Sequence, residues 1–191
     1  LIGARFGHFL DRPLAPLLKA IPLSPNLLSA LGFVLSAVAA LVLAQELFWG
    51  GVLVLLAGTF DMLDGMVARA KGQESPFGAF LDSVLDRCSD AFLFFALAYH
   101  LRAEPLGVAL SMAGLLTALL ISYSRARAEA LGVSCAVGLM ERPERVVLLA
   151  AGAITGLIYP ALWLAFLLGA LTVLQRVLHT RKGLKALEKK S

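Results

Sequence analysis

The chain is poor in charge. Only 16% of its 191 residues are Asp, Glu, Lys or Arg, while 59% are hydrophobic; an ordinary soluble domain carries roughly 25% charged residues. That excludes an ordinary soluble domain and points to a single integral membrane domain. Cysteine is scarce as well: Cys88 and Cys135 share no metal-type spacing and read as free thiols, which excludes a disulfide framework. His8, His100 and His179 are scattered and make no ligand set. No repeat or low-complexity tract appears. No cleavable signal pattern opens the chain, and a start at Leu1 rather than Met reads as a trimmed N-terminus. The net charge of +4 needs no nucleic-acid partner if the basic residues lie on one side of a bilayer.

Long apolar runs are what the chain has. A membrane-spanning helix needs about 20 apolar residues. Residues 27–45 and 105–124 carry no charge, and neither do residues 146–175. The third run is too long for one span. A turn at Tyr159-Pro160, with helices reaching from about Glu141 to about His179, makes it a hairpin of two. Residues 47–60 and 91–99 are apolar but run into aspartates, and become spans only if the acidic turns are helical. The reading is an all-α membrane protein with six transmembrane helices. An amphipathic juxtamembrane helix over residues 1–20 precedes the transmembrane domain at 21–179, and a basic tail follows at 180–191. Arg5, Arg12, Lys19, Arg69, Lys71, Arg125, Arg127, Arg142, Arg145, Arg176, Arg181 and the tail lysines then share one face; Arg87 lies within the third helix, and only Arg102 falls on the other face. The positive-inside rule makes that face, and both termini, cytoplasmic, in a multi-pass protein of the cell membrane.

The segment "DMLDGMVARAKGQESPFGAFLDSVLD", residues 61–86, breaks the apolar pattern. An aspartate at a helix centre costs roughly 2.5–3.5 kcal/mol on insertion scales, so four uncompensated ones would cost on the order of 10 kcal/mol. Asp61 and Asp64 are spaced i, i+3 and Asp82 and Asp86 i, i+4, so each pair shares a helix face. A helical hairpin would bring the pairs together, and four carboxylates in one pocket repel unless cations lie between them. Hard oxygen ligands suit Mg²⁺, with Mn²⁺ or Ca²⁺ as alternatives. Two ions about 3.5–4 Å apart are a recurring device of phosphoryl transfer. Gly65, Ala68 and Gly78 admit close approach, and Arg69 offers a fork to phosphate oxygens.

The string Asp61-x2-Asp64-Gly65-x2-Ala68-Arg69-x8-Gly78-x3-Asp82-x3-Asp86 resembles, at every position, the signature of the CDP-alcohol phosphatidyltransferase family. "SPNLLS", residues 24–29, resembles the family's "TPN-x-x-T". The resemblance implies six helices, an amphipathic N-terminal helix and a homodimer. It implies a CDP-linked lipid donor, CDP-diacylglycerol or CDP-archaeol, with two divalent ions on its diphosphate held by Asp61, Asp64, Asp82 and Asp86. Pro25, Asn26, Gly65, Ala68, Arg69, Ser75 and Gly78 would line the donor site. Asp86 would take the proton from an acceptor hydroxyl that attacks the β-phosphorus and releases CMP.

The acceptor is read from Arg125, Arg127, Arg142 and Arg145, at two helix ends near the acidic face. Such a basic cluster suits a phosphorylated alcohol. Their stretches look most like those of the inositol-phosphate-using members of the family. Glycerol 3-phosphate is the alternative acceptor, although the usual Arg soon after "PN-x-x-T" is missing. Asp90 reads as a partner for Arg87 or another polar group. Two other classes compete with the enzyme: an intramembrane cation transporter, which would spread its acids along a pore, and a non-catalytic scaffold, against which the intact acidic set speaks.

Overall fold

The computed structural model describes residues 17–18 and 22–189. The amphipathic helix expected over residues 1–20 therefore lies outside the described residues, except that Leu17 and Leu18 are helical. Six helices follow: α1 (Pro25–Gln45), α2 (Leu47–Lys71), α3 (Pro76–His100), α4 (Pro105–Ala130), α5 (Arg142–Thr155) and α6 (Ile158–Glu188).

Local chemistry sets their boundaries. Ser24 caps α1, its Oγ accepting from Leu27 N at 3.3 Å, and Pro25 opens the first turn. Glu46 alone separates α1 from α2, and its carboxylate accepts from Phe48 N and Trp49 N at 3.0 and 2.7 Å. Gly72, at φ 63°, ends α2 in the left-handed conformation. Ser75 caps α3, accepting from Gly78 N at 3.0 Å. In each capped start, a side-chain oxygen satisfies an amide that the helix itself cannot.

The break in the last apolar run lies elsewhere than expected. Helix α5 stops at Gly156, φ 75°, and α6 starts at Ile158. Pro160 falls in the first turn of α6, where its missing N–H leaves no bond unmade. The turn therefore belongs to the glycine, not the proline. At its other end α6 continues well past His179 to Glu188, so most of the basic tail is helical.

The helices form a ring in which each packs mainly on two others, in the order α1, α2, α5, α6, α4, α3 and back to α1. The apolar core fills one end of this ring, with Leu43, Val54, Phe94, Leu97, Leu110, Leu149, Ala153 and Leu162 all buried. Outward faces stay apolar, as at Leu41, Trp49, Leu116 and Leu167, which suits lipid rather than water. Four helices, α1, α2, α4 and α6, are long and apolar enough to cross a membrane. The other two of the six expected spans differ for clear reasons. Asp82, Asp86, Arg87 and Asp90 interrupt α3. With 14 residues, α5 is short of the hydrocarbon core at about 1.5 Å per residue. The protein is an all-helical membrane protein.

If Gly156 is the stop between α5 and α6, Gly156→Ala should destabilise by about 1–2 kcal/mol, the strain of a left-handed alanine, since open space surrounds the added methyl. Pro160→Ala should change stability by less than about 0.5 kcal/mol. Thermal unfolding in detergent compares the two, and a larger loss for Pro160→Ala would return the stop to the proline.

Candidate functional site

The end of the ring opposite this core holds the charged residues, beside a smaller apolar cluster of Leu28, Met66 and Val67. Helices α2 and α3 are consecutive, yet each packs mainly on α1 rather than forming the expected hairpin with the other. The two acidic pairs therefore face a gap. Asp61 and Asp64 look into it from α2, and Asp82 and Asp86 from α3.

Arg142, the first residue of α5, reaches into that gap. Its Nη1 lies 2.5 Å from Asp61 Oδ2 and 2.8 Å from Asp86 Oδ1, and its Nε lies 3.8 Å from Asp90 Oδ1. One guanidinium thus bridges α2, α3 and α5. Asp64, buried, accepts a short hydrogen bond from Ser29 Oγ on α1. Asp90 and Arg145, each 2% exposed, pair at 2.5 Å between α3 and α5. Arg87 turns back along α3, donating to Ser83 O at 2.7 Å and lying 3.5 Å from Asp86.

Among the described residues, two sizeable concavities flank the aspartates, besides a space of about 20 Å³ next to Asp61, Asp90 and Arg142. The smaller, about 200 Å³, is lined by Pro25, Asn26, Ser29, Asp64, Gly65, Ala68, Arg69, Ser75, Gly78 and Asp82, among others. It contains every residue expected at the donor site. Gly78 is needed there: a Cβ would lie 2.9 Å from Ser75 Oγ, its own helix cap, and 3.6 Å from Asn26 Oδ1. The larger groove, about 970 Å³, is lined by Asp86, Arg87, Arg125, Arg142, Arg145 and Arg176, with Glu141 and apolar residues of α3 and α4. Three of the four arginines read as acceptor ligands reach this groove; Arg127 is not among its lining.

Among the described residues, no three Asp, Glu, His or Cys side chains come together closely enough to hold a metal. Arg142 stands between Asp61 and Asp86. The residues nevertheless fit a hard divalent cation. All four donors are carboxylates, and the gap already takes a positive group between two of them.

Three contributors were not assigned from sequence. Arg176 looked like the start of the basic tail. It is buried and donates to Val137 O at 2.9 Å and to Ile121 O, with Glu141 at 3.5 Å, so it ties the α4–α5 loop to α6. Thr172, one turn earlier, accepts from Leu139 N and Met140 N at 3.1 and 3.0 Å. The i, i+4 spacing of Thr172 and Arg176 at the end of an apolar run was the available signal. Ser29 ends the "SPNLLS" stretch, but its bond to Asp64 depends on how α1 packs on α2.

Comparison with known proteins identifies the family. Residues 22–178 match the family described as CDP-alcohol phosphatidyltransferase. The chain is 39% identical to the phosphatidylinositol phosphate synthase of Mycobacteroides abscessus, over 94% of this chain and 87% of that one. It is similar to the crystal structure of Mycobacterium tuberculosis phosphatidylinositol phosphate synthase with CDP-DAG bound (TM-score 0.78, 34% identity, covering 89% and 92% of the two chains). The structure of that enzyme in complex with manganese and citrate gives a TM-score of 0.79 at 33% identity, covering 89% and 88%.

Removing one partner of the buried Asp90–Arg145 pair should be costly, because the survivor is an uncompensated buried charge. Arg145→Met should lose about 3–5 kcal/mol, and Arg145→Met combined with Asp90→Leu should recover most of it. Thermal unfolding of the two variants checks this; a double variant no better than the single would mean that the pair is not one energetic unit.

The acidic gap, the two flanking concavities and the matched residues lead to one assignment: this chain belongs to the CDP-alcohol phosphatidyltransferase family, and it is a membrane-embedded transferase of phospholipid synthesis.

Proposed function

We propose that the protein transfers a phosphatidyl group from CDP-diacylglycerol to the hydroxyl of inositol 1-phosphate, releasing CMP. The observation that carries this reading is the placement of Asp82 and Asp86. They are one turn apart on α3, yet Asp82 lines the smaller concavity and Asp86 the larger groove. A donor phosphate in the first and an acceptor hydroxyl in the second would meet beside Asp86.

The cytidine diphosphate would lie in the smaller concavity, near Arg69 and the small surfaces of Gly65, Ala68 and Gly78, with Pro25, Asn26 and Ser75 around it. Asp61, Asp64, Asp82 and Asp86 would hold two divalent ions, Mg²⁺ or Mn²⁺. When bound, these ions neutralise charge on the diphosphate oxygens. The M. tuberculosis relative in complex with manganese supports this choice. Asp86 accepts the proton of the acceptor hydroxyl, whose oxygen bonds to the β-phosphorus as the bond to the CMP oxygen breaks.

The larger groove suits a phosphorylated acceptor. Arg125, Arg142 and Arg145 line it, and Arg145 Nε and Nη1 are buried without a hydrogen-bond partner. Buried donors of that kind are normally satisfied, and a phosphate would satisfy them. The N-terminus of α5 opens at the same place, with its partial positive charge. The relatives named for phosphatidylinositol phosphate synthesis support inositol 1-phosphate as the acceptor. In this reading all six helices of the ring, α3 and α5 included, embed in the cell membrane as a homodimer. The site and both termini face the cytoplasm, where the basic residues gather.

The test is an acceptor panel with purified protein, Mg²⁺ and CDP-diacylglycerol. CMP should appear with inositol 1-phosphate and stay near background with glycerol 3-phosphate, inositol or serine. CMP with glycerol 3-phosphate alone would replace the acceptor, and none with any alcohol would overturn the reading. Asp86→Asn should lower turnover by about 10²–10⁴-fold, the usual worth of a positioned base.

A further inference from the structure

Arg142 stands in two places at once. It lines the groove read as the acceptor site, yet its Nη1 is held by Asp61 and Asp86, read as metal ligands. A guanidinium between those two carboxylates and a divalent ion on the same oxygens exclude one another, because both need the space and both are positive. A second position lies within reach. Asp90 Oδ1 is buried without a hydrogen-bond partner, and so is Arg142 Nε, 3.8 Å away. Asp90 already holds Arg145 through its other oxygen at 2.5 Å, so its free oxygen faces a guanidinium it does not yet bond. The Arg142 backbone is fixed as the first residue of α5, followed by Pro143, while its long side chain can turn about its own bonds.

We propose that Arg142 is an internal counter-ion that fills the acidic gap between Asp61 and Asp86 in the metal-free protein and is displaced towards Asp90 and the groove when a divalent cation binds. Displacement completes the positive lining beside Arg125 and Arg145, so the acceptor's phosphate meets its full complement of arginines only after the cation has loaded. By linkage, cation and acceptor phosphate then strengthen each other's binding. The metal-free gap avoids the repulsion of facing carboxylates without an ion from solution. The inference rests on the metal-ligand reading given under Proposed function.

Mn²⁺ binding to the full chain in detergent, followed by titration calorimetry, tests it in wild type, Arg142→Gln and Arg142→Lys. Removing the competing cation should tighten Mn²⁺ binding by roughly tenfold or more, the worth of hydrogen bonds to charged groups. Arg142→Lys keeps a competing charge and should stay near wild type. Mn²⁺ bound no more tightly by Arg142→Gln than by wild type would overturn the counter-ion role while leaving the metal site standing. No Mn²⁺ binding by wild type would overturn both. A wild-type measurement guards against a variant that fails to fold: with ¹⁵N-arginine label, Mg²⁺ should shift the Arg142 Nε–H signal, identified by its loss in Arg142→Lys. A signal that stays in place at saturating Mg²⁺ would overturn the proposal.

Discussion

Carboxylates inside a helical membrane protein must be answered by positive charge, and the rest of this site is arranged around that requirement. Asp61, Asp86 and Asp90 meet Arg142 and Arg145 at the start of α5. This places a short helix, itself about two-thirds of a bilayer span, against α2 and α3 at the charged end of the ring. The charges thus do structural work as well as lining the site: they say where α5 must begin, and the loop before it is pinned by Thr172 and Arg176 of α6. A buried ion pair is a poor source of net stability but a strong penalty on any arrangement that separates it. That makes it a register device between helices that otherwise offer only apolar surface.

Helical periodicity turns this one gap into two compartments. A spacing of four residues keeps Asp82 and Asp86 on one face but moves them about 6 Å along the axis. That step carries α3 from the smaller concavity, beside the glycines of α2 and α3, to the larger groove with its arginines. Ring order matters equally. Because α1 is the main partner of both α2 and α3, the acidic faces stand apart instead of collapsing on each other. A tight α2–α3 hairpin would have brought the carboxylates closer and closed the space that a diphosphate needs.

Much of the fold was legible because membrane helices are written in uninterrupted apolar runs. Residues 27–45 and 105–124 both correspond to helices, and α5 starts within one residue of the expected Glu141. The misplaced turn at Pro160 has a simple cause. Proline ends a helix only where its missing N–H or its ring would conflict with the preceding turn, and as the third residue of a new helix it does neither. Gly156 was the better mark, since a left-handed stop calls for glycine. The extension of α6 to Glu188 was hidden because charge and helicity are independent: Arg181, Lys182 and Lys185 end the apolar run without ending the helix.

The chemical content of residues 61–86 was determined by sequence alone. Spacing of three and four residues fixes which carboxylates share a face, whatever the helix packs against, and the glycines and Arg69 follow in the same frame. What only the tertiary structure decided was the pairing of groups far apart in the chain. Asp90 and Arg145, like Asp61 and Arg142, come from different helices, and Arg176 turns inward although Arg181 and Lys182, further along α6, are exposed. No local spacing encodes such partners, because a helix specifies the direction of a side chain and only its neighbours specify what that side chain meets.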